Sequence, residues 1–264
     1  MKLIADNLRI TRPDVRDALE RRDPEPVKAL ADRCARRKPW AIDVNTGPLT
    51  RDPKTGMQFF VRAVESATGL PLLIDTSNPA AMRAGLEAAS NPAIINGFSL
   101  EPRKVELILP LAREFDTDIV GFLLYPDSRV PKDDAQRMEI ALELFEKAKS
   151  AGVPKERVII DPVVPPLAWE NGIEQARAVI RLIQTLPDLL GFKVRTIAGI
   201  SNLTTGAPDR NKKLLMDSAY LSMLARAGLD YALMDIFNTG LVGHAKAASI
   251  LSNESLFSWG MVPE

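Results

Sequence analysis

Eight short apolar runs, each followed by a stretch of helical periodicity, constrain this chain more than anything else in its sequence. The runs are Leu3–Ala5, Ala41–Val44, Leu72–Ile74, Ala93–Ile95, Ile119–Leu124, Val158–Ile160, Thr196–Ile200 and Ala232–Ile236. They are continuous rather than alternating, as expected of strands covered on both faces. Between them, apolar residues recur at i, i+3, i+4 and i+7. Met57, Phe60, Val61 and Val64 show the spacing, as do Met138, Ala141, Leu142 and Phe145. Ile173, Ala176, Ile180 and Ile183 mark another helix, and Leu214, Leu221, Leu224 and Ala225 a further one. The stretch "DPEP" at 23–26 divides the first helical region in two, and Pro110 is placed to kink the helix after the fourth strand.

Strand–helix alternation requires a parallel sheet. Eight such units in 264 residues, with no linker, low-complexity segment or composition shift, predict a closed (β/α)8 TIM barrel forming a single domain over residues 1–264. Barrels of this kind run to about 250 residues. No glycine-rich dinucleotide or phosphate loop follows any of the runs, which weighs against an open doubly wound sheet.

Composition narrows the function classes. Lysine plus arginine equals aspartate plus glutamate at 34 each, so charge gives no argument for nucleic acid or an anionic membrane. Arg33, Arg36, Arg37 and Lys38 read as a solvated helix end, where cations suit the macrodipole. The single cysteine, Cys34, lies on a helical stripe with Val27, Leu30 and Ala31, and reads as core. One cysteine permits no intramolecular disulfide and fits a reducing compartment. The opening "MKLIADN" turns polar too early for a signal peptide, and no apolar run approaches the ~20 residues of a membrane helix. The expectation is a cytoplasmic protein.

In such barrels the ligand site lies at the C-terminal ends of the strands. Those ends read Asp6 and Asn7, Asp43 and Asn45, Asp75, Asn96, Asp161, Asn202, then Asp235 and Asn238, while the fifth ends differently in "LLYPDS". Asp and Asn also follow strands simply because they cap helices and form turns. That explanation suits Asn78 before Pro79, and competes well at Asp235. It is weaker for Asp75, three residues upstream of a better cap, and for Asp161, which Pro162 holds extended. The lone imidazole, His244, shares a helical face with Leu241, Ala245 and Ala248 and is expected to be packed. With no cluster of histidine, cysteine or lysine, zinc, a Schiff base and a nucleophilic triad are disfavoured. Dispersed carboxylates could take magnesium. They suit a neutral ligand rich in donors and acceptors at least as well, such as a pterin, whose N3–H and 2-amino group offer two parallel donors to one carboxylate.

Five motifs follow one another at strand spacing: "DVNTGP" (43–48), "LLIDTSN" (72–78), "AIINGFS" (93–99), "IIDPVV" (159–164) and "GISNLT" (199–204). As an ordered set they resemble the pterin-binding barrel family, specifically the methyltetrahydrofolate:corrinoid methyltransferases. The resemblance implies a homodimeric barrel that passes a methyl group from N5 of methyltetrahydrofolate to Co(I) of a cobalamin carried by a corrinoid protein, such as a corrinoid/iron-sulfur protein. No protein-bound metal is implied. By similarity, Asp161 would hold the N3 and 2-amino edge of the pterin, Asp75 and Asn96 its other ring nitrogens, and Asn202 would reach N5. Asp43 and Asn45 would shape the floor. The chain departs from the family at "ADNLRIT", where a Gly-Glu-Arg-Ile-Asn type motif is usual, so that either Asp6 or Asn7 takes the glutamate's place. It departs again at Thr205, where the family often has glutamine.

Co(I) is already a strong nucleophile, so the difficulty of such a transfer lies in the amine leaving group. An amide donor at N5 stabilises charge as it develops. Two other readings stand beside this one. Dihydropteroate synthases share the barrel, but carry a "DPGFGF"-like run where this chain has "DPVVPP", and a Ser-Arg-Lys motif where it has "SNL". A non-catalytic folate-binding subunit of a corrinoid complex is the second.

Overall fold

The computed structural model describes residues 1–47, 52–252 and 257–262. Pro48, the last residue of the "DVNTGP" motif, lies outside them. The strands are β1 (Lys2–Arg9), β2 (Ala41–Asn45), β3 (Leu72–Asp75), β4 (Ala93–Phe98), β5 (Asp118–Phe122), β6 (Val158–Asp161), β7 (Arg195–Gly199) and β8 (Tyr231–Met234). They pair in chain order, all parallel, and β8 closes on β1 to complete the barrel. Around it run α1 (Pro13–Arg21), α2 (Glu25–Arg36), α3 (Pro53–Glu65), α4 (Pro79–Ala88), α5 (Pro102–Leu107), α6 (Leu109–Glu114), α7 (Asp134–Ser150), α8 (Gly172–Leu190), α9 (Arg210–Ala227) and α10 (Thr239–Leu251).

The prolines act as expected. "DPEP" separates α1 from α2, and Pro110 breaks its helix outright into α5 and α6. Asn78 caps α4 by accepting from the backbone N–H groups of Ala80 (3.0 Å) and Ala81 (3.2 Å). Cys34 is buried among the residues that fill the space between barrel and helices, and Arg33, Arg36, Arg37 and Lys38 are exposed.

Alternation along each strand sorts side chains into two sets. One faces the helices. The other fills the barrel, where Ile4, Ala41, Leu73, Ile94, Val120, Ile159, Ile197 and Tyr231 form an apolar plug, one residue from each strand.

Four details differ from expectation. β1 continues past Ala5 to Arg9, with a register shift between Ala5 and Leu8, so Asp6 and Asn7 lie within the strand rather than after it. Asn45 and Asn96 are likewise inside β2 and β4, which run past the expected ends at Val44 and Ile95, because inward polar side chains do not interrupt the backbone ladder. The buried face of α7 is Arg137, Ile140, Ala141, Leu144 and Ala148, one residue out of step with the apolar spacing, and Leu142 is exposed. Ile173 opens α8 on its solvent side. Finally, His244 is exposed rather than packed: it sits at the edge of the α10 stripe, with Nδ1 2.8 Å from the Gly240 carbonyl.

Candidate functional site

Two residues beyond each member of the plug, the same alternation brings the next inward side chain to the barrel mouth. These are Asp6, Asp43, Asp75, Asn96, Phe122, Asp161, Gly199 and Leu233, strand by strand from β1 to β8. Four carboxylates and an amide thus stand directly on a dry apolar floor. Asn45 forms part of a lateral row with Asp75 and Asn96, since the three are register partners across β2, β3 and β4.

The site is cross-linked by its own amides. Asn45 donates from Nδ2 to Asp75 Oδ2 at 2.6 Å, while its Oδ1 accepts from the Gly47 backbone N–H at 2.9 Å. Asn96 donates from Nδ2 to Asp43 Oδ1 at 3.4 Å. Asp161 Oδ1 accepts from the Val163 N–H at 2.8 Å, so this carboxylate also shapes the turn at its strand tip. Asp75 caps no helix. Among the described residues, Asp6 Oδ1 is buried with no hydrogen-bond partner, and the Asp6 carboxylate has Arg9 at 3.6 Å.

Burial dominates the electrostatics, because water is excluded from one side of every carboxylate. It lifts Asp161 to about 7, against the opposing pull of the Val163 N–H and of Arg137. It lifts Asp75 to about 7, against the Asn45 donor and the Lys104 ammonium. Asp43 is driven well above the usual carboxylate range by burial first, then by the negative charges of Asp75 and Asp6. Asp6 rises for the same first reason, with Arg9 opposing. The cluster therefore carries fewer charges at neutral pH than it has carboxylates.

Asn202 differs from its neighbours. It ends the 3-10 turn Ile200–Asn202 beyond β7, is exposed, and makes no side-chain hydrogen bond among the described residues. Gly199 contributes no side chain to the inward layer, and a Cβ there would lie 3.1 Å from Asn202 Nδ2. The amide uses the space the glycine leaves. Lys213 braces the turn from α9, reaching the Thr204 hydroxyl (2.8 Å) and the Ser201 carbonyl (3.4 Å). Its charge is shared with the buried Asp217 at 3.4 Å.

Of the remaining strand-end residues, Asn7 and Asp235 form a latch. Asn7 Nδ2 donates to Asp235 Oδ1 at 2.6 Å, and Asn7 Oδ1 accepts from the Ile236 N–H at 3.0 Å, tying β1 to the chain after β8. Asp6 rather than Asn7 thus occupies the first strand's place in the inward layer. Asn238 caps α10 through the Leu241 N–H at 3.1 Å. Thr205 is exposed.

Sequence reasoning passed over three participants. Phe122 is the inward residue of β5, and its spacing of two from Val120 was the available signal. Lys104, on α5, reveals itself only through its proximity to Asp75. Arg137 was hidden inside an otherwise apolar helical stripe. No three of the described acids, histidine and cysteine converge as metal ligands would, and no described helix is long and apolar enough to cross a membrane.

Comparison with known proteins bears on the fold and the family. The family described as pterin binding enzyme matches residues 40–235. A methylcorrinoid:tetrahydrofolate methyltransferase of Eubacterium limosum is 26% identical over 261 residues, covering 97% of this chain and 93% of that protein. A methionine synthase of Mycobacterium tuberculosis is 23% identical over 231 residues, 83% of this chain but 19% of that much longer protein. Among solved structures, a dihydropteroate synthase of Coxiella burnetii in complex with pteroic acid superposes with a TM-score of 0.68 at 14% identity, covering 96% of this chain and 94% of that one. A dihydropteroate synthase of Xanthomonas albilineans gives 0.67 at 18% identity, covering 95% and 91%. At these identities the two structures speak for the fold.

Proposed function

We propose, from the premise that the chain belongs to the family of pterin binding enzymes, that it moves a methyl group between N5 of methyltetrahydrofolate and the cobalt of a corrinoid protein. The observation that carries the reading is the inward layer itself. Acceptors and amides stand on an apolar floor, and one uncommitted amide, Asn202, stands beside them. Near-full-length similarity to a methylcorrinoid:tetrahydrofolate methyltransferase supports the choice of reaction.

In this reading Asp161 accepts from N3–H and the 2-amino group, while Asp75 and Asn96 bond other ring nitrogens. Asp43 and Asn45 hold those two in place through the hydrogen bonds described, and Asp6 supplies the polar wall of the first strand. Phe122 adds an apolar surface at the level of the ring. Transfer breaks the N5–methyl bond as the carbon bonds to cobalt. The electron pair of the broken bond stays on N5, which takes up a proton from solvent water, and a hydrogen bond from Asn202 stabilises that nitrogen as the bond breaks. The nucleophile is the reduced cobalt of the partner, a substrate in this scheme, so no side chain has to be activated. The proposed working form is a cytoplasmic homodimer that meets its corrinoid protein at the barrel mouth.

The test is spectroscopic. Protein, methyltetrahydrofolate and Co(I) cobalamin are mixed anaerobically, and the loss of Co(I) absorbance is followed as methylcobalamin forms. No methylcobalamin above the protein-free rate, from folded protein that binds the folate, would leave the non-catalytic folate-binding reading in its place.

A further inference from the structure

Among the described residues Arg137 is the largest fully buried side chain, at 0% exposure. It sits on the inner face of α7, immediately behind the tip of β6. Its Nη1 donates to the Pro162 carbonyl, and among the described residues neither Nε nor Nη2 finds a hydrogen-bond partner. A buried guanidinium with a single neutral acceptor is a poor device for stability, since burying a charge costs more than one such bond returns.

The segment it grips is itself unusual. Val163 has φ of 61°, a left-handed conformation that a β-branched residue rarely adopts. Such a backbone persists only where its surroundings over-determine it. Here the turn is held from both sides, by the Val163 N–H on Asp161 Oδ1 and by Arg137 on the Pro162 carbonyl.

The other groups around Arg137 are already occupied. Asp133 caps α7 through the Gln136 N–H at 2.9 Å. Asp134 is paired with Arg181 at 2.7 Å. The Tyr220 hydroxyl donates to the Ala176 carbonyl at 2.8 Å, and burial raises it so far that it stays neutral. Among the described residues neither Asp133 nor Asp161 has a cation of its own, and of the two only Asp161 belongs to the inward layer of the mouth.

We infer that Arg137 is a positioning residue for the mouth: it pins the Asp161–Pro162–Val163 turn from behind and offers Asp161 a fixed positive charge, keeping that carboxylate an acceptor for two ligand N–H groups. The ligand half of this inference rests on the pterin reading above. The electrostatic half does not, and the two can be separated by experiment.

Arg137→Gln keeps an amide donor for the Pro162 carbonyl and removes the charge. The Asp161 carboxyl is titrated by carbon-13 NMR in the ligand-free proteins, assigned through Asp161→Asn. Its midpoint rises by about one pH unit in Arg137→Gln, since a neighbouring charge shifts a carboxylate by about that much. Methyltetrahydrofolate affinity in Arg137→Gln then falls about fivefold at pH 7 and recovers above pH 9, once Asp161 is ionised again. An unchanged Asp161 midpoint in folded Arg137→Gln, or an affinity loss equal at every pH, overturns the inference. Should the glutamine variant not fold, Arg137→Met fills the same volume without charge and is read in the same way. If neither uncharged variant folds, Arg137 is needed for the fold itself and the positioning inference is overturned. A wild-type protein that does not bind the folate, yet shows the shifted midpoint in the variants, would sink the pterin reading and leave the electrostatic role standing.

Discussion

Asn45 and Asp75 are register partners on β2 and β3, joined by a hydrogen bond of 2.6 Å from the amide Nδ2 to the carboxylate Oδ2. The direction of that bond is fixed, because Asn45 Oδ1 is already held by the Gly47 N–H. The amide therefore presents only its donor side to Asp75. Asn45→Asp would replace this donor with a third carboxylate beside Asp75 and Asp43. Like charges raise one another, so the folded protein would hold extra protons, and the penalty would be present at high pH and vanish as pH falls. We expect a loss of roughly 1–3 kcal/mol at pH 8 and little loss at pH 5, checked by urea midpoints at the two pH values.

The wild-type protein should itself show a pH slope. Asp75 and Asp161 titrate near 7 in the folded state against an ordinary value of 3.8. Between those values the folded form binds more protons than the unfolded one, so stability declines as pH rises from about 4 to 8. Asp161→Asn should flatten part of that slope and raise stability at pH 8 by about 2 kcal/mol, a figure discounted for relaxation around the buried group. The same substitution turns an N–H toward one of the ligand's donors. Folate affinity should drop by roughly 2–4 kcal/mol. A calorimetric stability series and a binding titration on one preparation check both halves. Near-normal affinity in the folded variant would remove Asp161 from the site.

Asn202→Ala should separate binding from chemistry. Its side chain is exposed and uncommitted, so truncation costs the fold little. The methyl-transfer rate should fall by about 10²–10³, the usual cost of losing one donor aimed at developing charge. Affinity should move far less, because Asp75, Asn96 and Asp161 remain. Stopped-flow single turnovers at saturating folate, alongside a titration, measure the two. An unchanged rate would reduce Asn202 to a turn residue.

Gly97 follows Asn96 at a register shift between β4 and β5, and a Cβ there would fall 2.2 Å from the Val120 carbonyl oxygen. The obstacle is backbone and cannot swing aside. Gly97→Ala should destabilise by at least about 2 kcal/mol and weaken folate binding by displacing Asn96. Gly69→Ala, where nothing lies within 4 Å, is the matched control and should change neither.

Folate binding should survive a chelator, because the proposed contacts are hydrogen bonds accepted by carboxylates and exchanged with amides. Loss of binding in EDTA, restored by magnesium, would return the carboxylate layer to a metal-binding role.

The barrel was legible because eight strands buried on both faces leave eight unbroken apolar runs, and helices outside them leave a 3.6-residue period. The mouth was legible as a set of residue types, since Asp43, Asp75, Asn96 and Asp161 interrupt runs that are otherwise apolar. Where those residues stand along the strands was not legible. Inward polar side chains at a barrel mouth look like strand ends, although the ladder continues past Asp6 and Asn96. The α7 stripe was misread for a related reason. Its first buried residue is Arg137, and a search for apolar periodicity steps around an arginine by shifting one place. His244 was lost at a stripe's margin, where sequence alone cannot say how far the neighbouring helix reaches. In each case the obstacle was a polar group in a place that the apolar pattern alone assigns to carbon.

The apolar plug gives the proposed reaction a traffic rule. With Ile4, Leu73, Val120, Ile159 and Tyr231 filling the barrel beneath the polar layer, folate has one door, and the cobalt must come through the same door. Two large visitors cannot use it in arbitrary order. The folate has to be seated before the corrinoid protein covers the opening, and the demethylated folate has to wait until that protein departs. Steady-state kinetics should accordingly be ordered, with folate first on and last off. Excess corrinoid protein should slow turnover by keeping the doorway shut.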